Sequence, residues 1–293
     1  MILCPQCQSV VPIEASNKYI CLNCNHEVSS LNGIIYFHPE DKDSNNGMEA
    51  CILDDVAKYE DNHFWMSSRR YFLRKIFETY SNYDDFILEI GPGTGYIAKY
   101  LIDCGYRNYS IGDINRRSLD LSNKHNYTHK YQFNLSKSVF IDHFNVVCLF
   151  DVLEHIDDDN LVVENIFKML KSGGRAIITV PAHQWLWSKQ DRIASHRKRY
   201  EVKELKELLI NNGFDILKAN GFFFSLIPFM YLRKIFNRDN RIINENDFKE
   251  RFKTNPLLNI FFKILLSLEI SLFNNYSSKY GGSIILVAEK QNS

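Results

Sequence analysis

Apolar residues in this chain gather in short aliphatic runs separated by amphipathic stretches. DFILEI, YSIGDIN, KYQFNLS, FNVVCLF and AIITVP are rich in β-branched and aliphatic side chains, as expected of strands buried on both faces of a parallel sheet. Between them the spacing turns helical. Ile97, Ala98, Leu101 and Ile102 share one face, and Val162, Ile166, Met169 and Leu170 share another. Strand, helix and strand repeated with short connections predicts a doubly wound, mostly parallel α/β sheet, with ligands bound beyond the carboxyl ends of its strands. A further run, SIILVAEK, supplies a last strand near the end.

Before that last strand the pattern changes. FFFSLIPFMYLRKIF and NPLLNIFFKILLSLEISLF bracket a polar stretch, and together they read as a helical cover over residues 222–281. In the second helix Asn259, Lys263, Ser267 and Ser271 form a narrow polar stripe and the rest is apolar. Such a helix is either mostly buried or lies against an apolar partner, which leaves core packing and a surface for a lipid-linked acceptor as the two readings. Glu269 falls on the apolar side, a costly place for an unpaired carboxylate, so a basic partner is expected for it.

Composition narrows the class. The 293 residues are 45% hydrophobic and 14% aromatic, enough for one large domain plus a small module. Lys plus Arg equals Asp plus Glu at 35 each, so no basic footprint marks the chain as a nucleic-acid binder. The N-terminus lacks the charged and apolar regions of a secretory signal. The longest charge-free stretch in the C-terminal third, Ala219 to Leu232, is too short to span a bilayer, although peripheral membrane contact stays open. Seven cysteines, four with metal spacing, point to a reducing cytoplasm rather than a disulfide scaffold.

Those four are Cys4-x2-Cys7 and Cys21-x2-Cys24, thirteen residues apart. Two such knuckles close a tetrahedral four-sulfur site with no open position, which is a structural zinc (Zn2+) site rather than a catalytic one. KYICL and NGIIYF supply short strands between and after them, while His26 reads as a surface residue. A unit this small, residues 1–38, would draw its folding free energy from the metal. It resembles the zinc ribbons found ahead of some methyltransferases.

The most informative stretch is LEIGPGTGYIAKYL, a strand opening through alternating glycines into a helix. No Gly-Lys-Ser/Thr closes the loop, and the third glycine comes one residue too early for the dinucleotide motif. The pattern Glu89, Gly91, Gly93, Gly95, followed by Asp113 eighteen residues beyond the last glycine, resembles the first motifs of class I S-adenosylmethionine-dependent methyltransferases. The resemblance runs from about Tyr59 to Lys290. It implies a seven-stranded Rossmann-like sheet with an antiparallel last strand and S-adenosyl-L-methionine as cofactor. The glycines would let the backbone approach the methionyl part, Glu89 would hold its ammonium group, and Asp113 would accept both ribose hydroxyls. Asn134 stands where the family often has an acid touching the adenine amine, and Asp151 ends the fourth strand beside the cofactor.

Three stretches bear on the methyl acceptor. His63–Phe77 resembles the leading helix of one family branch, so residues 39–80 read as a linker and a helix closing the cofactor site, with 81–293 as the methyltransferase domain. Glu154 and His155, in DVLEHID, follow the fourth strand, where class I enzymes face the transferred methyl group. A histidine there can take an acceptor's proton or simply pack beneath the cofactor. DRIASHRKRY resembles the branch's His-x-Arg-Arg-Tyr signature; it offers His196 as a second base, and its arginines read as anchors for an anionic acceptor or for the fold itself rather than as a solvated face. The acceptor is expected to be a small molecule, sugar or lipid-linked intermediate. RNA is the alternative, because zinc ribbons also precede a ribosomal RNA guanine methyltransferase domain. A dead acceptor site on a cofactor-binding scaffold comes last.

Overall fold

The computed structural model describes residues 1–11, 19–41, 50–122, 126–137, 139–236, 253–273 and 278–291. The aliphatic runs become strands β6 (Ile87–Ile90), β7 (Tyr109–Asp113), β8 (Lys130–Gln132), β9 (Phe144–Phe150) and β10 (Leu170–Pro181). They lie parallel in the order β8-β7-β6-β9-β10, so the order reverses between β6 and β9. The last strand, β12 (Ser283–Lys290), enters antiparallel beside β10, and β11 (Phe214–Phe222) pairs antiparallel outside it. Helices α3 (Tyr96–Asp103), α4 (Arg116–Leu121), α5 (Asp159–Met169), α6 (Lys189–Ile193) and α7 (Val202–Asn211) fill connections. Leu170, which helical spacing grouped with Met169, opens β10 instead, because the chain turns extended at that residue.

The seven expected strands are present as β6 to β12, and among the described residues the sheet continues beyond them. The N-terminal unit contributes β3 (Tyr19–Ile20), β4 (Glu27–Leu31) and β5 (Ile34–Tyr36), and β5 pairs parallel with β8 through Ile34–Lys130, Ile35–Tyr131 and Tyr36–Gln132. This makes ten strands in one sheet, while β1 (Ile2–Leu3) and β2 (Val10–Val11) form a separate hairpin. Ile2, Val11, Tyr19, Val28 and Phe37 join one core with Tyr131, Phe133 and Phe140. A module this size cannot bury enough surface alone, and β8 would otherwise present an open edge. Docking answers both needs.

On the opposite face, α2 (Phe64–Tyr80) lays Phe72, Leu73, Ile76 and Phe77 on the sheet; the Phe72 ring stacks on Phe222 at 4.4 Å between centroids. A shorter helix, α1 (Ala50–Ala57), precedes it. The cover consists of α8 (Ile227–Phe236) and α9 (Pro256–Phe273), with the polar stretch at 237–252 outside the described residues. Within the polar stripe, Asn259 accepts from the Phe64 N–H at 2.7 Å and donates to the Asn62 carbonyl, capping α2. One expectation about the cover is corrected: among the described residues Glu269 meets no basic partner. It accepts from the backbone N–H groups of Phe224 and Ser225 at 2.9 and 3.0 Å and from the Ser225 hydroxyl. Those N–H groups start the helical turn leading into α8, where they lack intrahelical partners and a carboxylate is favoured.

Core packing accounts for little of the cover. No residue of α8 is buried; Phe236 is 81% exposed, and Leu257 and Leu272 of α9 are 78% and 70% exposed. Among the described side chains of α9, Leu266, Glu269 and Ile270 are buried and Phe262 packs beside the core. The apolar majority of both helices faces outward.

Replacing Glu269 with alanine orphans two half-buried donors. It should lower unfolding free energy by about 1–3 kcal/mol in denaturant titration. A change within error would show that water caps this turn equally well.

Candidate active site

The glycine loop sits where the strand order reverses, at the carboxyl end of β6. Gly91, Gly93 and Gly95 all have positive φ. At Gly91 an added Cβ would lie 2.6 Å from a Val152 methyl, and at Gly95 only 2.4 Å from the Tyr127 hydroxyl. A side chain is excluded there by space as well as by backbone angle. At Gly93 the same atom would meet open space, with only a Leu53 methyl 4.0 Å away. Gly93 therefore lines a cradle that a side chain would fill. The loop is pinned to its neighbours by Gly91 N–H donating to the Gly112 carbonyl and Ser118 Oγ donating to the Gly93 carbonyl.

Two carboxylates flank the cradle. Glu89 is 2% exposed, accepts from the Tyr109 hydroxyl at 2.7 Å, and is pushed up to about 7 by burial, against the opposing pulls of Tyr109 and Arg69. Asp113, half-buried at the end of β7, takes the Asn115 N–H on one oxygen at 2.8 Å. A third acid was not anticipated from the sequence. Glu60, just ahead of α2, accepts from the Thr94 hydroxyl in the loop and is likewise pushed up to about 7 by burial.

Asn134 lies beyond β8 with both polar ends engaged. Its amide donates to Asp41 at 2.8 Å, and its carbonyl accepts from the Ser136 N–H at 2.9 Å. It thereby joins the segment after the N-terminal unit to the sheet.

Asp151 ends β9 in the left-handed region at φ 58°. One oxygen accepts from Thr179 Oγ1 at 3.0 Å and the other meets Arg69 Nη2 at 2.9 Å; Arg69 also donates to Thr179 at 3.1 Å. Arg69 is 9% exposed and stacks on Trp65 at 4.9 Å. The leading helix is therefore latched to the ends of β9 and β10 by a buried ion pair. Its signal in the sequence was an arginine on the same helical face as Trp65 and Phe72, spaced at i+4 and i+3.

Past Asp151 lies a second cluster. Glu154 is fully buried, and neither carboxylate oxygen has a hydrogen-bond partner among the described residues. Burial first, and then Asp151, push it well above the usual carboxylate range. His196 Nε2 lies 3.8 Å from Glu154 Oε1, and its ring stands nearly perpendicular to that of His155 at 4.9 Å. The structure thus brings together the two histidines singled out from separate stretches.

The charged side chains of the arginine-rich loop pair largely within the protein, as the structural reading of that loop expects. Arg199 forks onto Asp191 at 2.7 and 3.1 Å and also donates to the Ala182 carbonyl. Asp191 in turn receives His196 Nδ1 at 3.0 Å; burial opposes its ionisation, but His196 and Arg199 hold it down to about 2. Lys198 pairs with Asp159 and Glu204, and Arg197 Nε lies 3.4 Å from Asp157. The spacing Asp191-x4-His196-x2-Arg199 carried this triad. A cavity of about 610 Å³ beside His183, Trp185 and Tyr280 touches none of the motif residues.

A glycine cradle at the reversal of a parallel sheet, with an acid ending the neighbouring strand, defines a class I S-adenosylmethionine-dependent methyltransferase. Residues 63–219, just over half of the chain, match a family model described as a methyltransferase domain, and the chain belongs to that family. No curated protein matches the sequence. Among solved structures, the complex between the Haloferax volcanii Trm112 methyltransferase activator and a putative methyltransferase matches with TM-score 0.56 at 13% identity, over 86% of this chain and 99% of that one. The Haemonchus contortus phosphoethanolamine N-methyltransferase 2 has TM-score 0.54 at 16% identity, over 83% and 58%. A putative methyltransferase from Bacillus halodurans has TM-score 0.50 at 15% identity, over 75% and 99%. At such identities the likeness is one of fold.

Arg69→Met should cost about 3–5 kcal/mol of stability, because Asp151 would be left without its cation. The double variant Arg69→Met, Asp151→Leu should recover much of that loss. Thermal unfolding of both variants checks the pair.

Proposed function

We propose that this chain methylates a small-molecule, sugar or lipid-linked acceptor held over the ends of β9 and β10, beside Glu154, His155 and His196. The observation that carries the donor half is the Gly93 cradle with Glu89 on one side and Asp113 on the next strand end. When bound, S-adenosylmethionine supplies the electrophilic methyl group. Glu89 would hold its ammonium, Asp113 would accept from the ribose hydroxyls, and Asn134 would offer the carbonyl lone pair not taken by the Ser136 N–H toward the adenine amine. Asp151, fixed by Arg69, closes the floor between donor and acceptor. His155, with His196 second, relieves an acceptor hydroxyl of its proton, and alignment of the two reactants supplies most of the acceleration.

The apolar acceptor is supported by the outward faces of α8 and α9. Phe229, Ile264 and Leu268 lie at 42%, 57% and 54% exposure. Among the described residues no helix is long and apolar enough to cross a membrane, so contact with lipid would be peripheral.

The four cysteines fit a structural zinc. Cys4 and Cys24 sulfurs lie 3.6 Å apart and Cys7 and Cys21 sulfurs 3.4 Å apart. A tetrahedron with arms of about 2.3 Å has edges of about 3.8 Å. Such a metal would set the edge strands β3 to β5 on which the Asn134–Asp41 junction rests.

Calorimetry should show S-adenosylhomocysteine binding, weakened about 10- to 100-fold in Asp113→Ala. Because Glu89 must ionise to meet the ammonium, affinity should fall as pH drops below about 7, with proton release on binding at pH 6 and none at pH 8. No binding to the intact protein would overturn the donor assignment. For the acceptor, the protein should co-sediment with phospholipid vesicles, and Ile264→Glu with Leu268→Glu should abolish this. Salt-sensitive RNA binding without vesicle binding would transfer the assignment to RNA.

A further inference from the structure

The geometry points to a second metal centre: Glu154, His155 and His196 form a site for one divalent first-row transition cation at the acceptor end of the crevice. It deepens the methyltransferase reading and changes it at one point: with a cation bound, the two imidazoles act together as ligands in place of the proton-accepting role given them above. Its existence as a binding site does not depend on that reading.

The first support is Glu154. A fully buried carboxylate with no donor to either oxygen is rare, since buried polar groups are nearly always paired. The nearest guanidinium, Arg69, is committed to Asp151 and Thr179. The nearest imidazole nitrogen, His196 Nε2, is too distant to hydrogen-bond it.

The second is the orientation of His196. Its Nδ1 lies 3.0 Å from Asp191 Oδ1, so the ring carries its proton there and turns the lone pair of Nε2 toward Glu154. The two atoms stand 3.8 Å apart, too far for a hydrogen bond. Two ligands with arms of about 2.0–2.2 Å span that distance through a shared cation. His155 completes the set: one ligand atom from each of the three residues lies within 4.8 Å of the others.

The third is the support behind the ring. Carboxylates that accept the far N–H of a metal-ligating histidine fix its tautomer and direction. Asp191 does so here, at 1% exposure, and is itself gripped by the Arg199 fork. A buried charged pair is more than a surface loop needs to keep its shape.

Two imidazoles and one carboxylate leave coordination positions open, unlike the closed four-sulfur site, and suit zinc, manganese, cobalt or ferrous iron. An acceptor hydroxyl entering an open position would lose its proton more readily. In the balanced reaction that proton passes to water, the acceptor oxygen forms a bond to the methyl carbon, and the departing bond pair returns to the donor sulfur.

The test uses the full chain with its cysteine site loaded with zinc, then titrated with manganese or cobalt while bound metal is counted by elemental analysis. Manganese discriminates because thiolates hold it poorly. We expect one zinc per chain plus one further equivalent. Glu154→Gln and His196→Gln should each lose the second equivalent, or weaken it at least about 100-fold. The zinc and S-adenosylhomocysteine binding should remain, showing an intact fold. The proposal is overturned if intact protein takes up no second equivalent of manganese, cobalt or zinc, or if Glu154→Gln leaves that uptake unchanged. If the second equivalent is found but S-adenosylhomocysteine never binds, the donor assignment falls and the metal centre stands.

Discussion

The crevice depends on one buried ion pair. Arg69 reaches from the leading helix to Asp151, which sits in a backbone conformation that non-glycine residues rarely adopt. Thr179 bridges the two from the adjacent strand, so helix, β9 and β10 meet at a single junction. Burying two charges is expensive and seldom stabilises by itself. What the pair provides is position: it sets the helix across the crevice and fixes the turn that carries Glu154 and His155.

That junction also leaves the site short of positive charge. One guanidinium acts on Glu89, Asp151 and Glu154, and only Asp151 receives it directly. Burial drives Glu89 and Glu154 toward their protonated forms, and Arg69 offsets this only in part. A donor that brings an ammonium and a sulfonium matches this deficit on the Glu89 side. On the Glu154 side a metal ion would do the same.

Much of this was legible in sequence. The aliphatic runs gave every parallel strand because buried strands need continuous apolar residues, and the glycines at 91, 93 and 95 mark positions where a Cβ has the wrong angle or no room. Cys4, Cys7, Cys21 and Cys24 were equally plain, since spacing alone brings thiolates together. What stayed hidden was partnership across the fold. Glu269 looked in need of a cation, yet two backbone N–H groups satisfy it. Arg199 looked ready for an acceptor, yet Asp191 occupies it. Charge patterns show that a group needs a partner, but only the tertiary arrangement decides which one.

The N-terminal unit shows how far that principle extends. By sequence it is a separate module; in the fold its β5 becomes a strand of the same sheet, and Asp41, just beyond it, holds Asn134. The parallel pairing covers the exposed edge of β8 and carries the module's core into the domain's core. A metal closing the four cysteines would therefore do more than fold forty residues. It would stiffen the sheet edge beside the end of β7 where Asp113 stands, so the structural and the donor-binding sites share one framework although neither touches the other's ligand.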